Sequence, residues 1–302
     1  MGPTASGKTD IAIALCERFP CDIISVDSAL VYRHMNIGTA KPDAETLRRA
    51  PHQLVDIREP EESYSVGDFV RDASAAIAAS IAAKRIPLLA GGTMMYFRAL
   101  TRGIATLPSA DADVRAAIDA RAAVEGWPAL HADLAEVDAV TAARLNPNDS
   151  QRIQRALEVF RISGKPLSVW HEEAAPSSAT SSDFVKIGLQ IEPRTILHQR
   201  IEQRLDHMIA NGFVEEMRLL RKRPSLTGDS PSMRAVGYRQ FWKYLDGEYD
   251  ATEARNRALF ATRQLAKRQL TWLRSEAEVF LHSPLEAGAI GAISERIERQ
   301  MA

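Results

Sequence analysis

Gly2-Pro3-Thr4-Ala5-Ser6-Gly7-Lys8-Thr9, followed by an apolar stretch from Asp10 to Phe19, decides how the rest of the chain is read. Two glycines five apart, with Lys and Thr directly after the second, have the spacing of a P-loop. Glycines let the backbone curl so that successive N–H groups converge on phosphate oxygens, and the N-terminus of the following helix adds partial positive charge at the same spot. Lys8 is placed to reach a terminal phosphate, and the Thr9 hydroxyl to ligate Mg²⁺. A Gly-rich turn before an ordinary helix has no use for Lys and Thr in that order. The loop does not distinguish a nucleotide from an allylic diphosphate, which look alike from the β-phosphate end.

Working outward, Asp22 to Asp27 reads as a short buried strand ending in a carboxylate. Ligands of open α/β sheets sit beyond the carboxyl ends of the strands, so Asp27 points at the crevice that holds the P-loop. His52 to Ile57 is a second short strand candidate, bounded by Pro51 and Pro60, and Asp56 at its end suits an outer Mg²⁺ ligand or a surface acid. Ser65 with Asp68 opens a helix carrying Val66, Phe69, Val70, Ala73 and Ile77 at helical spacing. Ile86 to Ala90 is a buried parallel strand, and Gly91-Gly92-Thr93 lets the backbone turn close beside a ligand. From Leu107 the alternation stops, and Asp111 to Val124, Pro128 to Glu136, Thr141 to Leu145 and Asp149 to Ser163 read as helices. The fold class is α/β: a P-loop parallel sheet with helices on both faces and an all-helical insertion. The boundaries are 1–106 for the first part of the core, 107–170 for the insertion, 171–182 for a small, polar linker, and 183–302 for the second part with its basic C-terminal helices. In that second part, Asp183 to Ile191 resumes as a strand and Arg194 to Asn211 as an amphipathic helix stopped by Gly212.

The chain has 302 residues, 45% apolar and 25% charged, which suits a globular protein with a large core and no apolar run long enough to span a membrane. Its net charge of −1 means that any nucleic-acid binding rests on local clusters of basic residues. Three such clusters stand out. Gln151, Arg152 and Arg155 share one side of a helix, with Ile153 turned elsewhere. Arg234-Ala235-Val236-Gly237-Tyr238-Arg239-Gln240 flanks a glycine with an aromatic ring and arginines, which suits close backbone approach to a nucleotide or diphosphate. Arg255 to Arg274 is a helical stretch with six Arg and Lys residues and no acid. Cys16 and Cys21 have no His or Cys companions at metal-site spacing and read as reduced packing thiols, which together with the lack of a signal peptide predicts a cytoplasmic address.

The P-loop, Ser25-Val26-Asp27-Ser28-Ala29, Asn36-Ile37-Gly38-Thr39-Ala40-Lys41-Pro42 and the basic segments together resemble the tRNA dimethylallyltransferase family, over nearly the whole chain. That resemblance implies transfer of a dimethylallyl group from dimethylallyl diphosphate to N6 of the adenosine just 3′ of the anticodon, in tRNAs reading codons that start with U. It implies that the loop holds a diphosphate leaving group with Mg²⁺, that Asp27 is the general base, and that Thr93, Lys8 and Arg239 take part in the chemistry. The tRNA anticodon stem-loop is expected to touch Asp27, Ser28, Ala29, Leu30, Thr93, Arg115, and Gln151-Arg152-Ile153-Gln154-Arg155. The same expectation covers Arg234 to Arg239 and Lys267-Arg268-Gln269-Leu270-Thr271-Trp272-Leu273-Arg274. A monomer without membrane contact is the default. The residues alone leave two rivals: a small-molecule or nucleoside kinase, whose lid brings arginines to ATP without needing a remote acid-free helix, and a P-loop regulator that binds RNA without chemistry. Finally, a P-loop normally joins the end of a buried strand to a helix, and only Met1 precedes Gly2. The reading therefore expects the first strand, about ten residues, to be missing from this sequence.

Overall fold

The structure, a computed structural model, describes residues 1–105, 107–173 and 184–301. They form two compact units, Met1–Leu100 with Ser181–Ala302, and Thr101–Thr180. The polar linker expected from Ala174 to Ser182 lies outside the described residues.

The first unit is built on β1 (Cys21–Val26), in which every residue but Asp22 is buried. Such a strand needs cover on both faces. Side chains alternate along a strand, so Ile23 packs with Ala12 and Ile13 of α1 (Lys8–Cys16), while Ile24 and Val26 pack with Phe69 and Ala73 of α3 (Val66–Ala82). Ser65 caps α3 in a reciprocal capping box with Asp68. The short α2 (Ala44–Arg49) precedes β2 (His52–Gln53), and α4 (Met94–Arg102) follows β3 (Ile86–Gly91). The strand order is β2-β1-β3, all parallel, with Cys21 opposite Ile86 and Val26 opposite Gly91. A Cβ on Gly91 would lie 2.0 Å from the Val26 carbonyl oxygen, so only glycine fits that end of β3.

β2 is shorter than the strand expected from His52 to Ile57. Leu54 and Asp56 have φ of 62° and 56°, which breaks the extended backbone after Gln53. The chain turns there instead, and the Asp56 and Ile57 amides donate to the carbonyls of Leu30 and Val31.

A second parallel pair, β4 (Lys186–Leu189) with β5 (Val279–His282), completes the strands. β3 and β4 are not paired with each other, and Met1 lies along β4: its amino group donates to the Ile187 carbonyl at 2.7 Å and its carbonyl accepts from the Leu189 amide at 2.8 Å. Around them run α10 (Arg194–Ala210), α11 (Phe213–Leu220), a 3-10 turn (Pro231–Arg234), α12 (Tyr238–Leu245), α13 (Ala251–Ser275) and α14 (Ala289–Met301). Leu197, Ile201, Leu205 and Met208 are the buried face of α10.

The second unit is all helical: α5 (Ala112–Glu125), α6 (Trp127–Val137), α7 (Ala139–Ala142), α8 (Ser150–Ser163) and α9 (Leu167–Glu172). Ile118, Leu130, Leu134, Ile153 and Leu157 form its own core. α7 starts two residues earlier than expected because Asp138 caps it, accepting from the Thr141 amide. In the same unit Glu158 is wholly buried and holds Arg115 and Arg155.

Candidate active site

The P-loop has the backbone its sequence demands. Ala5 and Gly7 take positive φ of 60° and 79°, and the buried Ser6 hydroxyl donates to the Pro3 carbonyl at 2.8 Å. Lys8 folds back over the loop, its Nζ donating to the same carbonyl at 2.7 Å. Burial lowers the Lys8 pKa to about 8, with the Asp27 charge opposing the shift and Arg204 adding to it. Thr9 is exposed on the first turn of α1.

Asp27 follows β1, and its Oδ1 accepts from the amides of Ala29 at 2.8 Å and Leu30 at 3.3 Å. These bonds fix the carboxylate and leave Oδ2 open. Thr93 follows β3 on the neighbouring strand. Its amide donates to the Val26 carbonyl, and its hydroxyl oxygen accepts from the Ser28 amide at 3.1 Å. Parallel pairing of β1 with β3 thus puts both side chains at one sheet end, beside the loop.

They open onto a cavity of about 510 Å³. Thr4, Asp27, Ser28, Ala29 and Thr93 form one side of its wall, and Arg234 to Tyr238 and Arg268, Gln269 and Trp272 another. An apolar section comes from Ile201, Leu205, Met208, Phe213 and Leu265. The volume lies within the roughly 300 to 1,000 Å³ of small-molecule sites. Of the expected catalytic residues Asp27 and Thr93 meet here, joined from the P-loop by Thr4, but neither Lys8 nor Arg239 lines the wall. Arg239 is exposed on the first turn of α12 and is absent from the cavity wall, because Gly237, with φ of 93°, turns the chain so that Tyr238 points inward instead.

α13 divides its expected contacts by face. Lys267, Arg268, Thr271 and Arg274 are exposed, Trp272 is half-buried with Arg98 stacked 5.6 Å from its ring, and Gln269, Leu270 and Leu273 are buried. Gln269 bridges the two halves of the site, since its Oε1 accepts from the Thr4 amide and its Nε2 donates to the Gly92 carbonyl, both at 2.8 Å. Farther along the helix, Arg255 pairs with Glu202 and Asp206, Arg263 with Glu202, and Arg257 with Glu253. The acid-free stretch is thus neutralised over its first half by acids of α10 and of its own first turn.

The segment Asn36 to Pro42 is held from behind. Glu216 accepts from the amides of Asn36, Ile37 and Gly38 at 2.8, 2.7 and 3.2 Å and from the Tyr238 hydroxyl at 2.5 Å. A Cβ on Gly38 would meet the Phe213 ring at 2.1 Å. Lys41 is buried and donates to Tyr32, Asn36 and Asp56, so Asp56 serves as its counterion.

In the helical unit, Arg115 and Arg155 both grip Glu158, whose Oε1 also accepts from the Asp111 amide. Burial would raise the Glu158 pKa, but the hydrogen bonds of Arg155, Arg115 and that amide hold it below the usual carboxylate value. Gln154 bonds Asp119, Arg152 is 73% exposed beside Asp149, Gln151 is exposed, and Ile153 belongs to the core. Two residues of the site were missed in the sequence. Arg200 and Arg204 of α10 reach the P-loop, Arg200 Nε donating to the Ala5 carbonyl at 3.0 Å and Arg204 to the Thr4 hydroxyl. The only signal was their spacing of four beside the apolar face.

A family model described as IPP transferase matches residues 30–276. The chain is 54% identical over 304 residues to a tRNA dimethylallyltransferase of Paraburkholderia phymatum, covering 100% of this chain and 96% of that protein. It is 56% identical over 275 residues to one of Thiobacillus denitrificans, covering 91% and 87%. Among solved structures it resembles the tRNA isopentenylpyrophosphate transferase of Bacillus halodurans, at 36% identity and a TM-score of 0.71 over 99% of this chain and 94% of that one. It shares its fold, at 23% identity and a TM-score of 0.79 over 98% of this chain and 76% of that one, with a eukaryotic dimethylallyltransferase acting on tRNA.

Proposed function

The chain belongs to the IPP transferase family, and from that membership we propose that it transfers a dimethylallyl group from dimethylallyl diphosphate to N6 of the adenosine 3′ of the anticodon in tRNAs reading U-starting codons. The observation that carries the reading is that Asp27, Thr93, the P-loop residue Thr4 and the basic, aromatic face of α13 share one cavity. A kinase needs the loop but no such face.

The adenine amine is a poor nucleophile. In the proposed reaction its nitrogen bonds to C1 of the allyl group while the C1–O bond breaks and its electron pair leaves with the diphosphate. The amine proton passes to Oδ2 of Asp27, the oxygen left open by the two amides on Oδ1. Thr93, tied to Ser28, positions the base next to that carboxylate. The loop amides and Lys8 receive the growing charge of the diphosphate, where exclusion of water strengthens every such contact. The apolar section of the cavity takes the five-carbon chain, and the base reaches the site by leaving the loop stack, at a cost of a few kcal/mol.

Mg²⁺ fits this donor set. It binds one or two protein oxygens and completes its shell with water and phosphate oxygens, and the exposed Thr9 hydroxyl offers one oxygen. No group of three or more His, Cys, Asp or Glu that could hold a metal by itself occurs among the described residues. An ion held there jointly with the substrate would neutralise diphosphate charge. No helix among the described residues is long and apolar enough to cross a membrane.

The test is incubation with unmodified tRNA and either labelled dimethylallyl diphosphate or γ-labelled ATP. Label from the prenyl donor should appear in the anticodon-loop fragment. Label from ATP alone, in RNA or in a small acceptor, would replace this reading with the kinase.

A further inference from the structure

Glu216 of α11 is 8% exposed, and among the described residues it enters no salt bridge. The buried Glu158, by contrast, has two arginines. A charge taken out of water is costly unless something compensates it. For Glu216 the compensation is four hydrogen bonds: Oε2 accepts from the amides of Asn36 and Ile37, and Oε1 from the Gly38 amide and the Tyr238 hydroxyl. An ionised carboxylate has about four acceptor positions, so all of them are used. Three successive backbone N–H groups converge on the carboxylate as a nest converges on an anion. Burial and the Glu216 charge raise the Tyr238 pKa well above its ordinary value, so that hydroxyl stays a donor.

The carboxylate does not border the cavity, but Gly38, Thr39 and Tyr238 do. These wall residues come from segments far apart in the chain, and Glu216 bonds both segments. The packing around the junction is tight. Phe213 and Tyr238 meet edge to face with centroids 5.1 Å apart, and a Cβ on Gly38 would lie 2.7 Å from the Tyr238 ring. Just past Thr39, Ala40 has φ of 54°, a left-handed conformation that surrounding contacts must hold in place. A neutral side chain cannot satisfy four donors at once, so the ionised carboxylate dictates where this part of the wall stands.

We propose that Glu216 is a positioning residue for the transfer: acting through Gly38 and Tyr238, it fixes the wall against which the bound substrates are aligned, without touching them. The proposal rests on the dimethylallyl transfer reading above. Bond formation needs the amine nitrogen held about 3 to 3.5 Å from C1, and a misplacement of about 1 Å costs on the order of 100-fold in rate. None of the four bonds goes to the P-loop, so Glu216 acts on the rate of the bound complex and not on the capture of diphosphate.

The test joins three measurements on the full chain: single-turnover transfer at saturating tRNA and dimethylallyl diphosphate, calorimetric titration with inorganic diphosphate, and amide exchange read by mass spectrometry. The titration counts folded sites, so each rate is expressed per diphosphate-binding site. Glu216→Gln keeps the side chain's size but leaves one acceptor oxygen and turns an NH₂ group toward the donors. Exchange over Asn36 to Gly38 should rise about 10-fold or more while β1 exchanges as in the wild type. Transfer should slow about 10- to 100-fold, with diphosphate affinity and the KM for the allylic diphosphate unchanged. Glu216→Asp, which keeps the charge on a shorter arm, should recover part of the rate. A wild-type rate per site in Glu216→Gln, or a fall in diphosphate affinity as large as the fall in rate, would reduce Glu216 to a stabilising contact and overturn the proposal. If the glutamine variant binds no diphosphate, Glu216→Asp decides, and a wild-type rate there is the overturning result. A wild-type protein that transfers no dimethylallyl group would instead sink the functional reading, and exchange over Asn36 to Gly38 would still decide whether Glu216 holds the wall.

Discussion

At the scale of single residues, the geometry of Asp27 separates its two oxygens. Oδ1 is held by two amides and Oδ2 is open, so Asp27→Asn keeps the side chain's size and can keep the amide contacts while removing the proton acceptor. Transfer should drop by the roughly 10²- to 10⁴-fold of a lost general base, with tRNA binding intact; near-normal single-turnover transfer by this variant would take Asp27 out of the mechanism. Lys8 offers a second prediction at the same scale. Its pKa of about 8 in the free protein means that it carries its charge below that pH and loses it above. The ratio kcat/KM for the allylic diphosphate reports free-enzyme groups, so it should fall on an alkaline limb beginning near pH 8, and Lys8→Arg should move that limb beyond the accessible range. A profile flat to pH 10 in the wild type would show that Lys8 need not be charged. Asp27 was legible in the sequence because a carboxylate right after a buried apolar run marks the end of a strand, whereas Thr93 took its role from the family resemblance. Arg204 and Glu216 were not legible. Arg204 lies on a helix whose apolar spacing already explained it, Glu216 on one the sequence reading did not pick out, and only the tertiary register of α10 and α11 aims these charges at the loop and at Asn36 to Gly38.

At the scale of elements, α13 shows what composition hides. The stretch from Arg255 to Arg274 has no acid, yet Arg255 and Arg263 meet Glu202 from α10 and Arg257 meets Glu253 within its own helix. Among the described residues the part with no ion pair is the stripe Lys267, Arg268, Thr271 and Arg274, whose spacing of one, four and seven places it on one exposed face. Replacing Lys267 and Arg268 with Gln should therefore weaken tRNA binding and lower its salt slope by up to about 0.7 to 0.9 for each phosphate no longer neutralised. A slope that does not move would return this face to solvent. The equivalent double change at Arg255 and Arg257 should leave the slope near the wild-type value, since those charges are paired. Sequence pattern located α13 because its length and period are local properties. It could not divide the charges, because the acids that neutralise two of them come from about fifty to sixty positions away. The same holds for β2, where Leu54 and Asp56 carry positive φ that no propensity signals.

At the scale of the whole molecule, the chain folds as two units with separate cores, the apolar cluster of Ile118, Leu130, Leu134 and Ile153 serving the helical one. That unit was readable as a break in strand and helix alternation at Leu107, but the basic residues assigned there to tRNA have structural work that a sequence cannot display. Arg115 and Arg155 hold the fully buried carboxylate of Glu158 between them, with the Asp111 amide on the same group. Removing one partner of a buried pair costs roughly 3 to 5 kcal/mol when the other charge stays buried. Arg115 and Arg155 are 44% and 28% exposed, so both can turn to water and the cost should be smaller, about 2 kcal/mol. Because the folded-state pKa of Glu158 is lowered, its contribution is present above the ordinary carboxylate value of about 4.3 and is lost as pH falls through the folded value. Glu158→Gln should thus raise amide exchange in α5 and α8 at pH 7, flatten the acid dependence of that exchange, and leave exchange at β1 and the affinity for inorganic diphosphate as they are in the wild type. Hydrogen exchange read by mass spectrometry separates the two units directly. Equal loss of protection in β1 and α8 would mean that they unfold as one cooperative block and that the division into two cores has no energetic counterpart.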